Sequence, residues 1–216
     1  AEPTNPIEWT GRWFSEWGEI FTNIPDRFHS WNAEDYLVEP YSFATQYQDN
    51  KPLAVDIFDP GCTICMQSYR NQKDSGFFEQ NNTVLMVYPI ELPDGGYKFA
   101  NSDLIARYIH ASDLLDTDYT MQIVDRLFTE SDDNGVNYQA VFLGASREKA
   151  EQLLQEWLQD FGASKKEIEQ IQRAALGDEV TEIMAQVKTM VESTIHVKGI
   201  PTLIYDGKKH NGLYRP

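Results

Sequence analysis

A chain of 216 residues with 41% hydrophobic content can bury a sizeable core, and it is long for one small α/β unit, so a core carrying an inserted module is expected. Its formal charge of −16 argues against nucleic acid or anionic lipid as a partner, because phosphate contacts need a basic face. No run approaches the ~18 consecutive apolar residues of a membrane span, so direct membrane insertion is not expected.

Residues 1–35 read as an N-terminal helical extension. Trp9, Trp13, Phe14, Trp17, Ile20, Phe21 and Ile24 recur at steps of three and four, a helical stripe stopped near Pro25. Glu8, Glu16 and Glu19 beside a single Arg12 are wrong for a lipid surface, so packing on the chain's own core is the simpler reading.

Residues 36–95 carry the first half of an α/β core. Tyr41-Ser42-Phe43-Ala44 suggests a first strand and Leu53–Phe58 a central one. A helix follows from near Cys62 through Met66 and Tyr69. Thr83–Tyr88 is then a continuous apolar run of the buried parallel kind. Strand, helix, strand at this spacing is a right-handed βαβ unit.

Residues 96–194 are helical by pattern. Asn101-Ser102-Asp103 offers caps for a helix through Leu104, Ile105 and Tyr108. Asn134-Gly135 marks a turn, and Ser164 with Glu167 forms a capping box. Val180, Ile183, Met184, Val187, Met190 and Val191 make the cleanest amphipathic stripe, expected to be core. In residues 195–216, Pro201 precedes the apolar run Leu203-Ile204-Tyr205, and Asp206-Gly207 signals a hairpin.

The chemistry lies in the only two cysteines, Cys62-Thr63-Ile64-Cys65, where a strand gives way to a helix. A helix N-terminus presents unsatisfied N–H groups and a positive dipole end, which stabilise a thiolate at Cys62. Cys65 lies one turn on along the same face and can close a disulfide with it. Zinc is the first alternative, but a structural site wants four ligands, and His29, His110, His196 and His210 show no ligand spacing. A purely structural disulfide is the second, and so short a loop closes little chain entropy. Asp56 interrupts an otherwise apolar strand, where an ionised carboxylate is costly and needs a reason.

Strand, C-x-x-C and helix, with Asp56 six residues before Cys62 and Gly199-Ile200-Pro201-Thr202 far downstream, resemble the thioredoxin superfamily. The helical block between the two halves is similar to that of DsbA-like oxidoreductases, and the resemblance covers about residues 37–214. It implies a thioredoxin-like fold interrupted by a helical insertion, here with the extra aromatic helix, and a cis bond before Pro201. It implies that Cys62 forms the mixed disulfide, that Cys65 resolves it, and that Asp56 manages the resolving thiol's proton. Ile200 and Pro201, with Thr63 and Ile64, are then the client-binding residues. Cysteine-containing protein clients and a membrane or soluble redox partner follow, with no metal and no cofactor. The resemblance also implies a periplasmic or extracytoplasmic home for a mature chain after signal cleavage.

Within the resemblance an oxidant is the first expectation and a thioredoxin-like reductant the second. An isomerase is disfavoured, since no dimerisation module is evident. A non-catalytic binding or chaperone module of the same fold is the rival from another class. Three departures stand out. Thr63-Ile64 supplies no imidazole beside the thiolate. Asp59, close before Cys62, is expected to oppose thiolate formation. The chain also runs out at Pro216 after the last strand, where the family has a covering helix, so the aromatic helix of about residues 8–24 is expected on that sheet face.

Overall fold

In the computed structural model, which describes residues 29–216, strands β1 (Ser42–Phe43), β2 (Leu53–Phe58), β3 (Asn82–Val87), β4 (Thr202–Tyr205) and β5 (Lys208–Asn211) form one sheet. Their spatial order is β1-β3-β2-β4-β5. β2 and β3 are parallel, with α1 (Thr63–Asp74) and the single turn α2 (Phe77–Gln80) crossing between them. The other pairings are antiparallel, and β2 meets β4 with Asp56 opposite Leu203 and Ile57 opposite Thr202. Central β2 is therefore buried on both faces and apolar apart from Asp56, as a central strand of a covered sheet is.

Six helices lie between β3 and β4: α3 (Ser102–Leu114), α4 (Tyr119–Thr129), α5 (Tyr138–Gly144), α6 (Arg147–Asp160), α7 (Lys165–Ala175) and α8 (Asp178–Thr189). They share one core with α1 and one face of the sheet, joining Ala54, Phe58, Leu85 and Leu203 to Leu104, Phe128, Trp157 and Ile171. Strand alternation sends Val55, Ile57, Val84, Met86 and Ile204 into a second core on the opposite face. α8 serves both. Val180 belongs to the first core, while Val187, Val191 in the π-helical turn Met190–Thr194 that continues α8, and Ile195 belong to the second.

That second face is covered at its other side by Trp31 and by Ala33 and Tyr36 of a short 3-10 turn, Ala33–Tyr36. The Trp31 N–H donates to the Gly207 carbonyl at 3.0 Å, and Lys209 Nζ stands 4.3 Å from the Trp31 ring centre. The aromatic stripe of residues 8–24, with its expected place on the sheet, lies outside the described residues. Past β5, the chain returns to α1: the Tyr214 N–H donates to Ser68 Oγ, and Asn71 Nδ2 donates to the Tyr214 carbonyl.

Local signals explain most boundaries. Ser164 and Glu167 form the reciprocal capping box at the start of α7. Asp206 and Gly207 take φ of 51° and 67°, the paired positive values that a two-residue hairpin needs. Asn101 corrects an expectation. It precedes α3 with φ 61° and caps nothing with its side chain. Its amide instead donates to the carbonyls of Phe142 and Ala145, tying α3 to the end of α5.

Candidate active site

β2 ends at Phe58, and Asp59, Pro60 and Gly61 turn the chain into α1, whose N-cap is Cys62. The Cys62 backbone is extended, and its sulfur accepts from the Cys65 N–H at 3.3 Å. Sulfur thus fills the place that a serine or aspartate oxygen takes at most helix starts. Asp59 braces the turn from within: one carboxylate oxygen accepts from the Gly61 N–H at 2.8 Å and the other from the Ile90 N–H at 2.7 Å. Gly61 has no alternative, because a Cβ there would fall 2.2 Å from Cβ of Phe99.

From the helical block, Gln139 reaches the same turn. Its Nε2 donates to the Pro60 carbonyl at 2.8 Å and to the Cys62 carbonyl at 3.1 Å. Cys62 keeps 6% of its surface exposed and Cys65 2%, whereas Ile64 between them is 50% exposed and Thr63 is also at the surface. Of the two thiols Cys62 thus lies nearer the surface, beside the exposed apolar side chain of Ile64.

Asp56 lies beneath α1, buried on β2, and its Oδ2 accepts from Gln72 Nε2 of that helix at 2.7 Å. The Ile200–Pro201 bond is cis, Pro201 is buried and Ile200 half-buried. Because Thr202 is opposite Ile57, Pro201 falls one step on, beside Phe58, at the sheet end where the dithiol turn begins. Cys62, Cys65, Asp56, Ile200 and Pro201 thus gather at one end of β2 and the helix above it. No protein-family model matches the sequence, and no curated protein matches it.

Solved structures do match. The thiol-disulfide exchange protein α-DsbA2 of Wolbachia pipientis is 13% identical, with 82% of each chain covered and a TM-score of 0.56. The catalytic domain of Proteus mirabilis ScsC is 11% identical, covers 84% of this chain and 87% of its own, and gives a TM-score of 0.53. The same organism's ScsC in a compact conformation is 12% identical over 82% of this chain and 73% of its own, at 0.55. The chain has a DsbA-like thioredoxin fold. At these identities the likeness is one of fold, and the chemistry must be read from the residues themselves.

In this thioredoxin-like setting the two thiols are driven apart. Cys62 falls to about 7, chiefly through a hydrogen bond from the Cys65 thiol, helped by the N–H groups of Cys65 and Ile64. Burial and the Asp59 charge oppose the fall, so the expected influence of Asp59 is present but does not prevail. Cys65 is pushed far up by burial first, then by its bond to Cys62 and that sulfur's charge, with the Asp56 carboxylate adding to the rise. Burial lifts Asp56 to about 6, against the lowering bond from Gln72. One sulfur is poised to ionise near neutrality, and the other holds its proton until something takes it.

Two functional contacts carried no sequence signal. Gln72 and Gln139 each sit in a helix as residues that ordinarily face water, yet they are 0% and 2% exposed. Only their position on the inward face of α1 and α5, once those helices are oriented, could have exposed them.

Proposed function

We propose that this chain is a thiol-disulfide oxidoreductase that exchanges its Cys62–Cys65 disulfide with cysteine-containing protein clients outside the cytoplasm. The observation that carries the reading is the Cys62 sulfur seated on the N-terminus of α1, with the Cys65 N–H at 3.3 Å. In the oxidising direction a client thiolate attacks the Cys62 sulfur, and the S–S bond breaks toward Cys65. Cys65 leaves as a thiolate and takes a proton, with Asp56 as the buried donor. A second client thiolate then attacks the client's own sulfur in the mixed disulfide and expels the Cys62 thiolate. Client dithiol has become disulfide, and two electrons have passed to the protein. Run backwards, the Asp56 carboxylate receives the Cys65 proton. Half-exposed Ile200 and the exposed pair Thr63-Ile64 supply the adjoining apolar surface for an extended client.

An extracytoplasmic home fits a dithiol that must persist as a disulfide. Among the described residues no helix is long and apolar enough to cross a membrane.

One observation favours the reductant reading over the oxidant. Cys62 is lowered only to about 7, against burial and the Asp59 charge, so ionisation near neutrality stabilises the reduced form little. Strongly oxidising dithiols owe their potential to a far more acidic first cysteine.

Exchange itself is tested with the oxidised protein and a reduced two-cysteine peptide. Disulfide transfer by the wild type, its loss in Cys62→Ser and a trapped mixed disulfide in Cys65→Ala are expected. Peptide binding without transfer, unchanged by Cys62→Ser, would establish the binding-module alternative instead.

A further inference from the structure

We propose that Gln72 is the positioning residue for the proton of Asp56, a neutral partner able to bond the acid in both of its protonation states. The inference rests on the exchange reading for its purpose, though not for its geometry. Gln72 and Asp56 are both buried, and the Nε2–Oδ2 bond at 2.7 Å joins the helix that bears the dithiol to the strand beneath it.

Each partner also keeps one oxygen unused. Among the described residues, neither Asp56 Oδ1 nor Gln72 Oε1 has a hydrogen-bond partner. An orphaned buried oxygen costs stability unless it is used in some state of the molecule. A carboxylate only accepts, so it takes the amide N–H. A protonated carboxyl needs an acceptor for its O–H, and a half-turn of the amide brings Oε1 to it. Because Oε1 is held by nothing else, that rotation breaks no bond except the one it replaces.

The surroundings leave this task to Gln72. Beside Asp56 in the sheet stand Leu85 of β3 and Leu203 of β4, which carry no charge. From α1 come Cys65 and Tyr69, which the Asp56 charge makes weaker acids, so that both keep their protons. The Tyr69 hydroxyl is directed away, donating to Asp125 of α4 at 3.3 Å. Among the described residues the one hydrogen bond that shapes the acid comes from Gln72, and it works against burial. A lysine or arginine in that place would favour the carboxylate alone and hold the acid ionised. An amide leaves it able to give and take a proton near neutrality.

The test is a pH titration of the reduced protein by NMR, following the Asp56 carboxyl carbon and the Gln72 side-chain amide together. In the wild type both should move with a single midpoint, since the amide changes its bond when the acid gains its proton. In Gln72→Met, close in volume but without the donor, the Asp56 midpoint should rise by at least one unit, a tenfold change in proton affinity. A Gln72 amide that stays flat through the Asp56 titration would overturn the proposal, as would a midpoint unmoved in Gln72→Met. The wild-type titration decides even where the variant fails to fold. No client is present, so failure of the exchange assay and failure here remain separate results.

Discussion

Gln139 of α5 donates its side-chain amide to the carbonyl of Cys62 at 3.1 Å, so the helical block is bonded directly to the residue that caps the dithiol helix. The same amide holds the Pro60 carbonyl, and Gln139 is buried. Gln139→Leu leaves both carbonyls short of a donor, and a loss of about 1–3 kcal/mol is expected. Denaturant unfolding checks it. A midpoint equal to that of the wild type would show that these bonds contribute nothing net.

Phe99 occupies the space that a side chain at position 61 would need. With its Cβ only 2.2 Å from that of Phe99, Gly61→Ala forces backbone or ring aside and should cost about 1–3 kcal/mol. Phe99→Gly loses the ring's own contacts, but because it also takes away the Cβ, adding it to Gly61→Ala should recover part of that loss. Thermal melts of the four proteins in the cycle provide the coupling energy. Strictly additive losses would mean that the clash is relieved elsewhere.

The two thiols of the reduced protein should alkylate very differently. Cys62, lowered to about 7, is expected to react with a midpoint near neutrality, and Cys65, raised by burial and by its neighbour, to stay inert while the fold persists. Since the Cys65 thiol is the largest influence lowering Cys62, Cys65→Ala should move the Cys62 midpoint up by about one unit. Iodoacetamide rates against pH, read by mass spectrometry, test both statements. Equal reactivity of the two cysteines would contradict them.

Asp56 should make stability fall as pH rises. Its carboxyl is lifted from an ordinary 3.8 to about 6 by burial, so between those values the native state binds more protons than the unfolded chain. Stability is therefore lost as pH climbs through that window, by up to about 3 kcal/mol above it. Asp56→Asn removes the ionisation while keeping the shape. It should stabilise the reduced protein by up to that amount at pH 8 and by less than about 1 kcal/mol near pH 4. Urea unfolding at the two pH values checks it, and an equal gain at both would exclude ionisation as the cause.

Strong local signals made much of this fold legible in the sequence. β2 occupies Leu53–Phe58 as its apolar run indicates, and the Ser164–Glu167 box and the Asp206-Gly207 turn stand where their residue types place them. β5 was harder, since Lys208–Asn211 is polar throughout and becomes a strand by pairing with β4, not by any pattern of its own. Tertiary demands were hidden. Asn101 looks like a cap, but its amide is taken by two carbonyls across the helical block. Asp59 looks like a charge set against the thiolate, while its carboxylate is occupied with the N–H groups of Gly61 and Ile90. Gln72 and Gln139 illustrate the same limit: a glutamine in a helix reads as surface until the facing strand or loop is in place. At the site, cysteine spacing and Asp56 were visible because each breaks a local rule, whereas their partners break none.

The most direct test of reversible dithiol chemistry is the reduction potential of the Cys62–Cys65 pair, measured by equilibrating the protein across glutathione buffers. The expected result is a complete two-electron cycle with a midpoint between about −120 and −270 mV, nearer the lower value because Cys62 gains so little from ionisation at neutral pH. A pair that stays reduced, or stays oxidised, across the whole buffer range would contradict the assignment of an exchange centre.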